Sequence, residues 1–291
     1  RAIAKKLEKK IKSELANMRD NDREAYEAFF EQFGRGLKYG IYTSYGMNKG
    51  ELADLLLFYS AKEQKMITLD EYIAAMPEGQ GSIFYAAGES VERLSKMPVV
   101  KAVMNKGYDV LLCTQDVDEF CFQSMMAYGK PAAEGEEFTE KPLKNVASGN
   151  LGLETEDEKK AAEEAAKENE GLFGAMKDAL GDYVSKVGVS TRLASADDAP
   201  ACITAEGPVS LEMEKILSQM PDGGEEIKSQ RVLEVNAQHP IFATLKAAQE
   251  SGDADKVASY ASLLYSQALL VEGMPLEDPV AFANEIAKLM K

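Results

Sequence analysis

The amino-acid sequence predicts an α+β protein with α/β parts: a helical segment, a small α/β/α subdomain, and then a mixed α/β domain that ends in helices. Apolar residues recur with a helical period near both ends, and short apolar runs alternate with helical segments. The chain has 291 residues, enough for about two domains. Glycine and proline interrupt the pattern between residues 129 and 152, which predicts a first domain at residues 1–150 and a second at residues 151–291.

The composition disfavours several classes of protein. Thirty-three basic and 49 acidic residues give a net charge of −16, which disfavours nucleic-acid partners because there is no excess positive charge to neutralise phosphates. The longest uncharged stretch, residues 257–271, is too short and too polar to span a membrane. Cys113, Cys121 and Cys202 lack disulfide-framework or metal-ligand spacing, which indicates a reducing compartment, the cytoplasm. The missing initiator methionine suggests a piece of a longer protein.

The first 61 residues are predicted to form three helices. The second begins after Asp22, which can cap it, and is expected to end near Gly34 and Gly36. The third covers residues 49–61. The inward positions are predicted to be Ile3, Leu7, Ile11, Leu15 and Met18 in the first helix, and Tyr26, Phe29, Phe30 and Phe33 in the second.

A strand–helix–strand unit is predicted next. The runs SIFYAAGES at residues 82–90 and YDVLLCT at residues 108–114 are typical of buried strands, and the residues between them favour helix. Such a unit normally pairs its strands in parallel and covers them with helices, and residues 116–126 supply the next helix.

The second domain is predicted to mix helices and strands. An acidic, solvated helix at residues 154–170 and a helix at residues 172–183 precede two strand-like runs, VSKVGVSTRL and PACITAE. A helix at residues 209–220, a strand at residues 231–235 and three closing helices complete the chain. His239, the single histidine, precedes Pro240 at a predicted helix start, so a helix-entry role is favoured over that of a general base.

Catalytic motifs are weak in this sequence. One histidine and three scattered cysteines do not make a zinc site, and no G-x-x-x-x-G-K-[ST] motif is present, so no catalytic or metal-ligating residue is assigned. The alternative function is a small-molecule enzyme that uses the crevice at the carboxyl ends of the two parallel strands. Only one glycine, Gly88, follows the first of these strands.

Apolar stripes on three helices carry more information. The helix at residues 209–220 has a stripe that periodicity alone favours as core. The penultimate helix is apolar on two faces, and the last one, which starts at Asp278 and Pro279, is apolar along a broad stripe. A terminal helix pair of this kind fits a two-fold dimer interface or ordinary packing within one chain. A dimer without affinity for other proteins is a further alternative.

Several segments resemble the ninety-kilodalton heat-shock chaperone family, from late in its middle domain to its C-terminal domain. They occur in the family's order and spacing along essentially the whole chain. They are AFFEQFGRGLKYGI (28–41), IFYAAGES (83–90), DVDEF (116–120), VGVSTRL (187–193), LEVNAQHPI (233–241), LLYSQALL (263–270) and LEDP (276–279).

The resemblance implies a homodimeric chaperone, driven by ATP with magnesium in the full-length protein, that binds partly folded client proteins. No cofactor is expected in this fragment, so it should not hydrolyse ATP. Without an acidic M-E-E-V-D-like tail, no tail-reading co-chaperone is expected, and a bacterial cytoplasmic origin fits. The implied client contacts are Phe120, Met125, Val209, Met213, Ile216, Leu217 and Met220. The implied dimer contacts are Leu263, Leu264, Leu269, Leu270, Phe282, Ile286, Leu289 and Met290.

Overall fold

A computed structural model of the chain describes residues 2–129, 140–220 and 227–290. The chain divides into two compact units. Unit 1 comprises Arg1–Ser95 and Lys106–Asn145, and unit 2 comprises Lys96–Asn105 and Val146–Lys291. Both units combine helices with a mixed sheet, which confirms the α+β class predicted from the sequence.

Unit 1 packs its helices around one six-stranded sheet in the order β2-β1-β4-β3-β6-β5. Its strands are β1 (Leu57–Ser60), β2 (Lys65–Thr68), β3 (Ile83–Ala87), β4 (Leu111–Cys113), β5 (Ala127–Tyr128) and β6 (Lys141–Asn145). Its helices are α1 (Ala2–Asn21), α2 (Arg23–Tyr42), α3 (Lys49–Leu52), α4 (Leu69–Ala75), α5 (Val91–Lys96) and α7 (Val117–Met125). Strands β3 and β4 pair in parallel, as the predicted strand–helix–strand unit requires, and helix α6 (Pro98–Asn105) lies between α5 and β4 in sequence.

Helix α2 begins as predicted but ends later. The Asp22 side chain accepts a hydrogen bond from the Ala25 backbone N–H, and the helix then runs through both glycines to Tyr42. Gly34 does not end the helix. It leaves room for a neighbouring side chain, because a Cβ at this position would lie 2.6 Å from the ring of buried Phe30. The predicted inward position of Phe33 is wrong, since its side chain is 61% exposed. The same prediction is wrong for Ile3, Leu7 and Ile11 of α1, which are exposed, whereas Leu15 and Met18 pack partly buried against the core of unit 1.

The prediction of a third helix in unit 1 is also wrong. The predicted helix at residues 49–61 is a single α-helical turn, a 3-10 turn and strand β1. Four consecutive buried residues, Leu55 to Phe58, need apolar contacts on every side, and the interior of the sheet supplies them. The stretch at residues 129–152, where glycine and proline predict a domain boundary, contains strand β6, which pairs in parallel with β3, and the division between the two units at Asn145 and Val146 falls within it. Residues 130–139 of that stretch lie outside the described part of the chain.

Unit 2 packs helices against a three-stranded sheet in the order β7-β9-β8. Its strands are β7 (Lys186–Val189), β8 (Ala201–Glu206) and β9 (Gln230–Val235). Its helices after α6 are α8 (Glu156–Glu168), α9 (Glu170–Leu180), α10 (Leu211–Ser218), α11 (Pro240–Glu250), α12 (Ala254–Glu272) and α13 (Pro279–Leu289). The core of this unit contains Leu233 of β9, Leu245 of α11 and Leu269 of α12, all fully buried.

Arg192 of the VGVSTRL segment forms a buried ion pair with Glu234 of β9. Arg192 Nε lies 3.2 Å from Glu234 Oε2, and its guanidinium also donates to the backbone carbonyls of Val146 (2.8 Å) and Gly149 (2.9 Å). Glu234 accepts further hydrogen bonds from the hydroxyls of Ser190 and Thr204. Because a buried charge is costly without partners, this arrangement fixes the segment that enters unit 2 against the sheet.

His239 has the helix-entry role that the sequence favours. Its Nδ1 accepts a hydrogen bond from the Ile241 backbone N–H, and Pro240 occupies the first turn of α11. Within the described residues, the helices do not combine the length and the apolar character that crossing a membrane requires.

The two glycines of α2 give a matched test of its packing. We expect Gly34→Ala to lower the free energy of unfolding by about 1–3 kcal/mol, because the added methyl group overpacks the Phe30 ring. Gly36→Ala is the control. A Cβ at Gly36 meets no atom within 4 Å, so alanine should stabilise the helix by about 0.5–1 kcal/mol. Urea unfolding measures both variants, and equal shifts would contradict the assignment.

Candidate functional site

Helix α10 presents its apolar stripe at the surface of unit 2. Ser210 caps the helix by accepting a hydrogen bond from the Met213 backbone N–H at 3.1 Å. The buried positions of the helix are Leu211 and Glu214, which lie outside the stripe predicted from periodicity. The stripe residues are half-buried, except for exposed Met220, and they are Val209, Met213, Ile216, Leu217 and Met220. No stripe residue is fully buried, so the preference for a core stripe, drawn from periodicity alone, is met only in part.

A charged network anchors the inner side of α10. Glu214 accepts hydrogen bonds from the backbone N–H and hydroxyl of Ser229, and its other oxygen lies 2.7 Å from an Arg231 nitrogen. Arg231 also donates to the Tyr265 hydroxyl and to Glu277, the latter at 3.0 Å. Burial tends to raise the pKa of Glu214, but the hydrogen bonds from Ser229 and Arg231 outweigh burial and hold that pKa below 4.5. The sequence does not reveal this network, because the hydrogen bonds of Glu214 and Arg231 join residues that are 15 to 46 positions apart.

Helices α12 and α13 differ in how much they bury. Helix α12 places one face in the core of unit 2, whereas α13 has no buried residue along its described length. On α13, Ile286 is 39% exposed and Leu289 is 56% exposed, Met290 just beyond it is also exposed, and Phe282 is half-buried.

The implied dimer contacts on α12 separate into two groups. Leu264 and Leu269 point into the core of their own unit, so their assignment to the dimer surface is corrected. Leu270 is exposed and Leu263 is half-buried. Val280, in the first turn of α13, is also exposed, although it is not among the implied dimer contacts.

Helix α7 positions Phe120 at the surface of unit 1. Asp118 forms a buried ion pair with Lys38, and Glu119 accepts hydrogen bonds from Tyr85 (3.0 Å) and Asn145 (2.9 Å). These two acidic residues hold the inner side of the helix. The Phe120 ring is left half-buried, with its centre 5.3 Å from the centre of the Tyr42 ring.

Met125 does not belong to that surface. It is 1% exposed and packs in the core of unit 1, so its assignment as a client contact is corrected. Its neighbour Met126 is 74% exposed and adopts a positive φ of 61° where α7 ends. Periodicity did not distinguish the two methionines, because the direction of Met126 depends on how the helix terminates.

The crevice at the carboxyl end of β4 contains a cavity of about 470 Å³. Lys38 and Asp118 line it, and they neutralise each other. The three cysteines of the chain are buried free thiols, and burial raises the pKa of Cys121 to about 12, so this thiol is a poor nucleophile. Among the residues that the structure describes, no group of His, Cys, Asp or Glu side chains could hold a metal ion. The geometry of this crevice gives no support to the enzyme alternative.

Comparison with known proteins identifies the family. A model of the Hsp90 protein family matches residues 1–291, and the chain therefore belongs to that family. Its relatives include proteins named "Chaperone protein HtpG" from Clostridium perfringens (52% identical over 289 residues), Bacillus subtilis (46% over 288) and Oceanobacillus iheyensis (47% over 288). Each match covers 99% of this chain and 44% of the relative, so the chain spans less than half the length of these proteins.

The lowered pKa of Glu214 predicts an acid dependence of stability. Glu214 stabilises the fold when it is ionised, so its contribution is present above pH 4.5 and is lost as the pH falls through its lower folded-state pKa. We expect the difference in free energy of unfolding between the wild type and Glu214→Gln to shrink as the pH falls below 4.5. Glu250→Gln, which removes an exposed carboxylate from α11, is the control. Urea titrations from about pH 7 to about pH 3 measure both variants, and a constant difference for Glu214→Gln would contradict the assignment.

Proposed function

We propose that this chain is the dimerisation and client-binding part of a molecular chaperone. It would bind partly folded proteins through the stripe of α10 and pair with a second copy through α12 and α13. The observation that carries the proposal is the apolar surface that the described residues of the same unit leave partly uncovered on α10 and largely uncovered on α13. A helix with an apolar stripe normally buries it, so a stripe left partly open favours a partner.

The dimer proposal rests on α13 and the adjacent part of α12. An isologous interface pairs the same residues on both copies, so each exposed apolar side chain is counted twice. Fully burying one large aliphatic side chain contributes about 1.5–3 kcal/mol. The proposed interface consists of Leu263, Leu270, Val280, Phe282, Ile286, Leu289 and Met290.

The client proposal rests on side chains that can adapt to different partners. Methionine is unbranched and polarisable, so Met213 and Met220 suit irregular apolar surfaces. The stripe is short and half-buried, so binding should be weak, with a dissociation constant on the order of micromolar after the cost of ordering both partners. On unit 1, half-buried Phe120 and exposed Met126 offer a second contact of the same chemistry.

The whole protein is proposed to have properties that this chain alone does not supply. We propose that ATP and magnesium are bound outside residues 1–291, because the sequence of this chain has no phosphate-binding loop. A cytoplasmic location is proposed from the unpaired cysteines. A tail-reading co-chaperone is not proposed as a partner.

Charge placed in the proposed interface should dissociate the dimer. We expect Leu270→Glu together with Ile286→Glu to lower the mass in solution from twice 31.8 kDa to 31.8 kDa, because each copy would bury two unpaired carboxylates. Multi-angle light scattering measures the mass. Met47→Glu, at an exposed apolar side chain of unit 1, is the control and should remain dimeric. A wild-type mass of 31.8 kDa that does not rise with concentration would refute the dimer.

The client stripe can be tested with the dimer intact. We expect Met213→Ser, Ile216→Ser and Leu217→Ser together to remove most of the suppression of aggregation of a chemically unfolded test protein, measured by light scattering. The control replaces exposed Ser218 and Gln219 of the same helical segment by alanine. Unchanged suppression with an intact dimer would favour the purely structural dimer, and loss of folding would mean that the stripe is core.

A further inference from the structure

Arg231 is the one residue through which α10, α12 and the segment before α13 meet in the described hydrogen-bond network. It lies on β9, the central strand of the sheet in unit 2. Its guanidinium contacts Glu214 of α10, Tyr265 of α12 and Glu277, which directly precedes the cap of α13. A guanidinium has five donors in a rigid planar group, so contacts with three separate elements constrain them together.

The contact with α10 determines how that helix is held. Leu211 and Glu214 are the buried residues of α10, and Leu211 lies in its first turn. Glu214 is therefore the inner anchor of the second turn, on the buried side of the helix beside the apolar stripe. Its side chain is only 10% exposed and its partners are Arg231 and Ser229, so a shift of Arg231 changes the direction of the stripe or leaves a mostly buried carboxylate without its charged partner.

The contact with the closing helices is equally direct. The Tyr265 hydroxyl lies 3.1 Å from Glu277 Oε1, so Arg231, Tyr265 and Glu277 form a closed triangle. Tyr265 is buried in α12, and its ring stacks on Tyr183. The next residue after Glu277, Asp278, caps α13 by accepting hydrogen bonds from the backbone N–H groups of the first turn.

We propose that Arg231 is a positioning residue that couples the stripe of α10 to the pairing of α12 and α13. Binding of an unfolded protein at α10 then changes the affinity of the dimer, and by linkage the dimer changes the affinity of α10 for that protein. This inference rests on the proposed function, because it takes α10 as the client contact and α13 as the dimer contact.

The test measures dimer dissociation of the full 291-residue chain with and without a saturating unfolded probe, reduced and carboxymethylated α-lactalbumin. Sedimentation velocity gives the dissociation constant. We expect the probe to change it by about fivefold or more in the wild type, and by less than about twofold in Glu277→Ala, whose substitution lies away from the stripe. Glu250→Ala, at an exposed carboxylate of α11, is the matched control and should behave as the wild type.

Tyr265→Phe is the second variant. It removes one hydroxyl from the triangle and keeps the stacked ring, so it tests the coupling if Glu277→Ala fails to fold. A wild-type dissociation constant that the probe leaves unchanged overturns the proposal. A probe effect that persists at full size in both Glu277→Ala and Tyr265→Phe also overturns it.

Failure of the proposed function gives a different pattern. If fluorescence anisotropy finds no binding of the probe to the wild type, client binding fails and the coupling is judged without a client. Hydrogen exchange of the α10 backbone amides should then be at least about threefold faster in Glu277→Ala than in Glu250→Ala, with α9 unchanged. Equal exchange in α10 overturns the coupling.

Discussion

The central strand of the sheet in unit 2 carries charged side chains that are largely buried and therefore need partners. This requirement determines where several elements of the unit are held. Strand β9 carries Glu234 and Arg231, and both side chains are largely withdrawn from solvent. Removing the partner of a buried charge costs about 3–5 kcal/mol, so the elements that supply partners are held in place. Glu234 forms an ion pair with Arg192, which also donates hydrogen bonds to backbone carbonyls in residues 146–149. Arg231 forms ion pairs with Glu214 of α10, the helix that carries the proposed client stripe, and with Glu277, which lies just before α13 of the proposed dimer interface.

The three-stranded sheet of unit 2 and its helices can bury only a limited apolar area. This limit explains why α10 and α13 keep apolar residues at the surface. Helix α12 fills the space against the sheet and α9 with one of its two apolar faces. Little buried space is left for α13, which keeps Ile286 and Leu289 largely outside the core. The same limit applies to α10, which contributes only Leu211 to the apolar core. Surplus apolar area in a chain of net charge −16 favours protein partners over nucleic acid.

Periodicity predicted where several elements lie but not always which of their faces is buried. The helices α1, α10 and α12 and the strands β3 and β4 lie where repeated or continuous apolar positions placed them, although the apolar stripe of α1 is largely exposed. It failed where burial depends on a neighbour. Residues 55–58 were assigned to a helix because a short apolar run fits both structures, and only the strands on either side of β1 decide between them. Gly34 was expected to end α2, whereas the Phe30 ring makes glycine necessary inside the helix.

The sequence by itself determined the family, the two-part α+β organisation and the helices that carry surplus apolar residues, because these properties follow from local order and spacing. The tertiary structure alone decided which apolar face of α12 is buried, so Leu264 lies in the core and Leu270 at the surface. It also decided that Met125 is buried and Met126 exposed. Both outcomes, like the pairing of Arg231 with Glu277 46 residues away, depend on which elements pack together, and a local pattern carries no information about that choice.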